Sequence, residues 1–358
     1  MIISHEDLHD FVRAVLLRHD VPSDQATVTA DVLIYADLHG FSTHGCAGLA
    51  PIYVPGLREG RIDARARPQL VQDGGACCVV DGHRALGHAT AQFATDLAVQ
   101  RAHEHGVGIC TVRNSTHFGS AGYYARRAAL RGVVSMAMTN CGSQGVVPPL
   151  GGTTKLLGTN PIAAAVPAPG GPPFVLDMST TTVASGKVRE RQAAGALVPE
   201  GWLRDAVGQP VTHPDDYFSG RAALTWLGGD LTRGAVKGFG LGVLVELLCG
   251  PLAGADAGTD DCDSDGIGHV VIAIDPERLG VGMALPTRSR EVLDRLLRDE
   301  PALDGTPVSY PGAPDAQRAA LHRRDGIALQ PFLVRQLEEL AEDLNLTLPV
   351  VTSQQGAA

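Results

Sequence analysis

The sequence predicts an α/β protein: a central region of strands and helices, with the two chain ends combining into a helical domain. Three observations carry that prediction. Apolar residues recur at helical spacing over about the first 60 and the last 75 residues, whereas short β-rich runs alternate with glycine turns in between. The chain has 358 residues, more than the roughly 100–200 of a typical domain. The expected division is therefore a helical domain of residues 1–72 plus 285–358 and an α/β domain of residues 73–284.

The elements follow in order. Ser4 and Asp7 approximate a capping box ahead of a first helix carrying Leu8, Phe11, Val12, Val15 and Leu16. Ser23 is positioned to cap a second helix with Val28, Val32 and Tyr35 on one face, and Gly40 to stop it. The polar turn Ser42-Thr43-His44-Gly45 comes next. Strand patterns then cover 107–112, 133–139, 161–167, 173–177 and 269–275, with helix-like stretches at 90–104, 120–131 and 237–250. Strands and helices mixed at this spacing imply a sheet with helices packed on it. Helices return around Glu291–Leu297 and from about 330 to 344, where Leu333, Leu337 and Leu340 share a face.

Composition narrows the function classes. Apolar residues make up 44% and charged residues 19%, enough to bury a core, so disorder is not expected. A net charge of −10 with no basic block is a poor match for nucleic acid or an anionic membrane surface. No apolar run approaches the ~18–20 residues of a membrane span. The start MIISHEDLHD lacks the basic and apolar regions of a signal peptide. The seven cysteines are odd in number and include no CxxC pair, so reduced thiols are expected rather than disulfides or a zinc site. A soluble, cytoplasmic protein without nucleic-acid or membrane partners is the expectation.

The chemistry is not announced by the common nucleotide motifs. No GxGxxG follows a strand: Gly106-Val-Gly108 opens one, and Gly238-Phe-Gly240 opens a probable helix. Gly186-Lys187 is followed by Val188 and lacks the upstream glycine of a P-loop. Asp261-Cys-Asp263-Ser-Asp265-Gly266 begins like a calcium loop, but the twelfth position is Ile272, so a solvated acidic loop is the expectation. Two histidines stand out. His44 follows a helix end in a Gly/Ser/Thr turn, and His117 follows a strand in Asn114-Ser-Thr-His117-Phe-Gly119. Imidazoles on such turns can face a cleft and move protons near neutral pH, although a hydrogen-bonded loop histidine is the commoner case. No HxxxH or HExxH spacing suggests a metal. Asp177 ends an apolar strand, where α/β sheets place chemistry and where a helix cap is equally at home.

Taken together, Ala36-Asp-Leu-His-Gly40-Phe-Ser-Thr-His44-Gly45, Arg113 through Tyr124-Ala and Gly158-Thr-Asn160-Pro161 resemble the malate/L-lactate dehydrogenase family of NAD(P)-dependent oxidoreductases. Leu176-Asp177-Met178-Ser179, Gly201-Trp202, Asp205-Ala-Val-Gly208, Lys237-Gly-Phe-Gly240 and Tyr310-Pro-Gly312 continue the resemblance in the family's order across nearly the whole chain. It implies a non-Rossmann mixed sheet that binds NAD or NADP, a helical domain built from both termini, and a homodimer with its site near the subunit contact. It further implies that His117 is the acid/base, that His44 lies at the substrate, and that Asp177 is linked to Thr43 and His44. The implied cofactor contacts are Asn140, Thr159, Asn160, Asp177, Met178, Ser179, Lys237, Pro311 and Gly312.

Two departures bear on the substrate. Thr43 stands where the family has serine, which keeps a hydroxyl. Gly48 stands where the family commonly has an arginine thought to hold the substrate carboxylate, a charge-assisted contact of roughly 1.5–3 kcal/mol. Either another cation, such as Arg113 or Arg58, takes the carboxylate, or the substrate is not a simple 2-hydroxy acid. The reading is a dehydrogenase of small 2-hydroxy/2-oxo acids. Its rivals are an imine reductase on the same scaffold and a cofactor-binding protein without turnover.

Overall fold

The computed structural model describes residues 1–260, 266–301 and 304–349. The acidic run expected as a solvated loop falls on residues 261–265, outside the described residues.

The chain opens with strand β1 (Ile2–Ile3), helix α1 (His5–Leu17) and helix α2 (Ser23–His39), and reaches α3 (Val54–Arg58) through three short helical turns. It continues through β2 (Gln69–Gly74), β3 (Cys77–Asp81), α4 (Gly87–His105), β4 (Val107–Ser115), α5 (Ala121–Ala129) and β5 (Val134–Thr139). Next come β6 (Ile162–Val166), β7 (Phe174–Met178) and α6 (Ser185–Ala193). A small insertion follows with β8 (Leu203–Asp205), β9 (Pro210–Val211), α7 (Pro214–Phe218) and β10 (Ala222–Leu224). The chain closes with α8 (Ala235–Cys249), β11 (Ile267–Ile274), α9 (Ala284–Leu297), α10 (Ala313–Asp325), β12 (Ile327–Ala328) and α11 (Pro331–Leu344).

The main sheet has seven strands in the order β2-β3-β4-β11-β5-β6-β7. Only β3 and β4 run parallel, joined by α4; every other neighbouring pair is antiparallel. This is the mixed, non-Rossmann α/β fold the resemblance implied. The central β11 carries an almost unbroken apolar run, as a strand covered on both faces must. All five strand patterns read from the sequence are strands here.

The chain ends meet as well. Strand β1 pairs with β12, Ile2 opposite Ala328 and Ile3 opposite Ile327. One apolar cluster draws on both ends: Leu8, Phe11, Val15 and Leu33 from the first helices, with Leu333, Leu337 and Ala341 from α11. Helix α9 packs elsewhere, its Leu293 grouped with Ala168, Tyr310 and Ala313.

Ser4 caps α1 as expected, its hydroxyl oxygen accepting the Asp7 N–H at 3.0 Å. Ser23 does not cap α2. The helix starts on it after Pro22, without a side-chain cap, and its hydroxyl accepts from the Arg13 guanidinium at 2.8 Å instead. Pro22 disfavours helical backbone in the residue before it, so the boundary is set without a serine cap. Helix α2 ends at Gly40 with φ +83°, a left-handed turn that glycine adopts without cost.

Leu337, fully buried where the two chain ends meet, gives a direct test of that cluster. Leu337→Ala should lower stability by about 2–5 kcal/mol in urea denaturation. Leu321→Ala, exposed on α10, should change it little.

Candidate active site

The first imidazole is set by α2 and the loop after it. Asp37, on the last turn of α2, is buried, and its carboxylate accepts the Cys46 N–H at 2.8 Å. The loop can come this close because residue 45 is glycine: a Cβ there would stand 2.0 Å from Asp37 Oδ1. Burial pushes the Asp37 pKa up to about 6. The loop is thereby drawn into two tight turns, Ser42–His44 and Cys46–Gly48. Thr43 Oγ1 lies 2.8 Å from His44 Nδ1, so the threonine keeps the hydroxyl contact that serine would make.

The second imidazole comes from the sheet. His117 follows β4, and its ring stacks on that of His44, with centroids 6.0 Å apart and planes 20° from parallel. A π-helical turn, Leu49–Tyr53, brings Tyr53 Oη to 2.7 Å from His117 Nδ1. The Gly119 N–H donates to the same nitrogen at 3.3 Å. Nδ1 is therefore the acceptor, and the neutral ring carries its proton on Nε2. Burial, with His44 nearby, holds the His117 pKa at about 3, so the ring is neutral at physiological pH.

His44 sits in a different field. Burial prevails and holds its pKa below the ordinary value, but the charge of Asp177 offsets part of that effect, with Lys187 adding to the lowering and Glu190 opposing it. Asp177, near the end of β7, accepts the Ser120 hydroxyl at 2.7 Å and the Gly122 N–H at 2.8 Å. It thus caps α5 from a neighbouring strand. Among the described residues no hydrogen bond joins Asp177 to Thr43 or His44. The implied link between them is Coulombic, not a hydrogen-bond relay.

A cavity of about 280 Å³ collects this chemistry: Thr43, His44, Ser120, Thr159, Asp177, Met178, Ser179 and Lys187 line it. His117 is absent from its wall and stands behind His44. Several other residues expected at the cofactor make contacts within the protein. Asn140, 2% exposed, donates to Glu246 Oε1 at 3.1 Å and the Asp256 carbonyl at 2.7 Å. Its oxygen accepts the N–H groups of Gly142 and Gly268. All four of its hydrogen-bonding positions are therefore committed within the protein. Asn160 donates to Glu246 Oε2 at 2.7 Å and to the Gly242 carbonyl, leaving its buried Oδ1 without a partner. Glu246 also accepts the Gly258 N–H. A buried carboxylate needs such donors, and these two amides supply them. Lys237 is exposed on α8, and Pro311 and Gly312 open α10, where the Pro311 carbonyl accepts the Val175 N–H at 3.1 Å. None of the three lines the cavity.

Neither cation expected to replace the missing arginine is there. Arg113 pairs with Asp81 at 3.1 Å, and Arg58 pairs with Asp343. The space beside Gly48 is not empty either, because a Cβ at that position would stand 3.0 Å from the Tyr53 ring. Sequence reasoning missed Asp37, Tyr53, Lys187 and Glu190. Asp37 falls inside the motif Ala36-Asp-Leu-His-Gly40 and Lys187 inside Ser185-Gly186-Lys187, but neither pattern states a role for the side chain.

A profile described as malate/L-lactate dehydrogenase matches residues 3–338, and the chain belongs to that family. It is an enzyme of the oxidoreductase class. L-sulfolactate dehydrogenase of Methanocaldococcus jannaschii is 33% identical over 97% of this chain and 98% of its own length. The malate dehydrogenase structure from Entamoeba histolytica superposes with a TM-score of 0.93 at 27% identity, covering 98% of this chain and 99% of that one. The Δ1-piperideine-2-carboxylate reductase structure from Pseudomonas syringae gives 0.82 at 29% identity, covering 95% and 100%.

The buried histidines predict a pH dependence. His39 at about 4, and His117 and His269 at about 3, lie below the ordinary value of about 6.5 because they are buried. Below pH 6.5 the unfolded chain binds more protons at these sites than the folded one, so stability falls as pH drops from 6.5 towards 4. Asp37 acts oppositely: its raised pKa costs stability as pH rises from about 4 to 6. With His44 and His88 also lowered and Asp315 also raised, five histidines stand against two carboxylates, so Tm should climb between pH 4 and 6.5. A flat or falling Tm across that range would contradict the burial of these rings.

Proposed function

We propose that the enzyme transfers hydride between NAD or NADP and a small 2-hydroxy/2-oxo acid. The observation that carries this reading is the meeting of His44, Asp177 and Lys187 in one cavity with Thr159, Met178 and Ser179. The residues suit a dinucleotide. Asp177, Met178 and Ser179 lie at the end of a strand, and the orphaned Asn160 Oδ1, between two cavity-lining residues, is an acceptor left for an incoming N–H. When bound, nicotinamide supplies or takes up the hydride.

The protein's own part is the proton. His44 is the better carrier than His117, although the resemblance assigned that task to His117. His44 lines the cavity and faces the charge of Asp177, which favours the imidazolium. His117 has its Nδ1 occupied and its pKa at about 3. In reduction, His44 gives a proton to the carbonyl oxygen as that oxygen becomes a hydroxyl; in oxidation it takes the proton back. His117, neutral and with its N–H on Nε2, fits hydrogen-bond donation or ring orientation better than proton transfer. Thr43 holds His44 at Nδ1, which leaves Nε2 for the substrate.

A second reading, NADPH-dependent imine reduction, has one observation in its favour: the Tyr53 ring fills the space beside Gly48. Assays with 2-oxo acids alone and with an added amine separate the two. A third, binding without turnover, is disfavoured by the ordered Thr43–His44 pair. The cofactor is NAD or NADP on any of these readings, and a cytoplasmic location accords with the uneven set of seven cysteines.

We also propose a homodimer joined through α8. This helix leaves Val236, Leu244 and Leu247 about half exposed along one side, with Gly240 between them open to close approach. Large apolar faces of this kind are normally covered by a partner. Leu244→Asp combined with Leu247→Asp should convert a dimer into monomers in sedimentation velocity.

His44→Ala should lower kcat by about 10²–10⁴-fold, the usual contribution of a general acid or base. Quenching of protein fluorescence should show NAD(P)H still bound. Wild-type turnover in that variant would remove His44 from the proton path.

A further inference from the structure

We propose that Lys187 binds the substrate carboxylate and so makes the enzyme prefer 2-oxo acids to neutral carbonyl compounds. The inference rests on the hydride-transfer reading above. A 2-oxo acid carries its negative charge on the carbon next to the reacting carbonyl. Whatever brings that carbonyl to His44 also brings the carboxylate into the same small cavity, where an unpaired charge is costly. The wall must supply a cation.

Among the described residues that line this cavity, Lys187 is the only lysine or arginine. It is near enough to His44 for its charge to press on the pKa of that ring. Its place relative to His44 is fixed by backbone packing. Lys187 lies in the first turn of α6, directly after Gly186, and a Cβ on Gly186 would stand 2.5 Å from Thr43 Cβ. The helix that carries the lysine therefore rests on the residue that holds His44.

The ammonium is also held in place. Lys187 Nζ lies 3.0 Å from Glu190 Oε2, while the Ser42 hydroxyl donates to Glu190 Oε1. An ammonium has three N–H donors, and the bond to Glu190 uses one. The side chain is 42% exposed, so the other two have room to meet a ligand. Glu190 itself is bonded on both oxygens, which limits its repulsion of an incoming carboxylate. The carboxylate that lines the cavity, Asp177, is matched by Ser120, by the Gly122 N–H and by the positive end of α5. Lys187 thus offers point-charge recognition on a side chain anchored by Glu190, where a guanidinium would offer a bidentate fork.

The test compares wild type, Lys187→Met and Lys187→Arg in the reductive direction. The substrates are the best-used acid from a 2-oxo acid panel and its own methyl ester, with NAD(P)H affinity measured by fluorescence. In Lys187→Met, KM for the acid should rise by about 10- to 100-fold, as expected for losing a charge-assisted contact. The ester should not share that rise in KM, any change in kcat that arises through the His44 ring being common to both substrates; NAD(P)H affinity should be unchanged, and Lys187→Arg should recover part of the loss. Equal rises in KM for acid and ester, a selective loss of NAD(P)H affinity, or wild-type kinetics in Lys187→Met would each overturn the assignment while leaving the hydride-transfer reading intact. Wild-type enzyme that binds NAD(P)H but reduces none of the acids would overturn both.

Discussion

The site depends on one buried contact, the Asp37 carboxylate against the Cys46 N–H, with Gly45 passing across its face. Asp37 belongs to a helix anchored in the core shared by the chain ends, and Cys46 to the loop that carries Thr43 and His44. The contact turns packing energy among Leu33, Phe11 and Leu337 into a fixed position for an imidazole. On the other side of the loop, Gly186 lets α6 close on Thr43. A loop rich in small polar residues would otherwise be free to move, and here it is held from two directions.

Electrostatics then separates two histidines that look alike in the sequence. Both are buried, and burial disfavours the charged ring. Among the described residues no carboxylate offsets that penalty for His117, and its Nδ1 is occupied by Tyr53 and Gly119. His44 faces Asp177 and Glu190, and its remaining nitrogen is available to the cavity. In a medium of low dielectric such differences in neighbouring charge are felt strongly. One ring is suited to carry a proton and the other to remain neutral beside it.

The sheet and the helices were legible because their signals are local. Short β-rich runs between glycine turns marked five strands of the main sheet, and apolar residues at helical spacing marked α1 and α11. The strands Gln69–Gly74 and Cys77–Asp81 were missed because exposed polar residues and a glycine turn blur their alternation. His44, His117 and Asp177 were legible as residues on turns or strand ends, and the family resemblance joined them into one site. Their environments were not. Nothing at positions 140 and 160 reveals that both amides are taken by Glu246, a carboxylate some 86 to 106 residues away in sequence. Nothing in the sequence singles out Tyr53, whose hydroxyl the π-helical turn aims at His117. The cation of the cavity was sought at Arg113 and Arg58, but partners distant in sequence, Asp81 and Asp343, already hold them.

The central claim is that His44 owes its proton-carrying capacity to the facing charge of Asp177. It is tested most directly by ¹⁵N NMR titration of the histidine rings in the intact enzyme and in Asp177→Asn. The account predicts that His44 titrates at a higher pH in the native protein than in the variant, while His117 stays neutral in both. An unchanged His44 titration, or a His117 ring that charges near neutral pH while His44 does not, would contradict it.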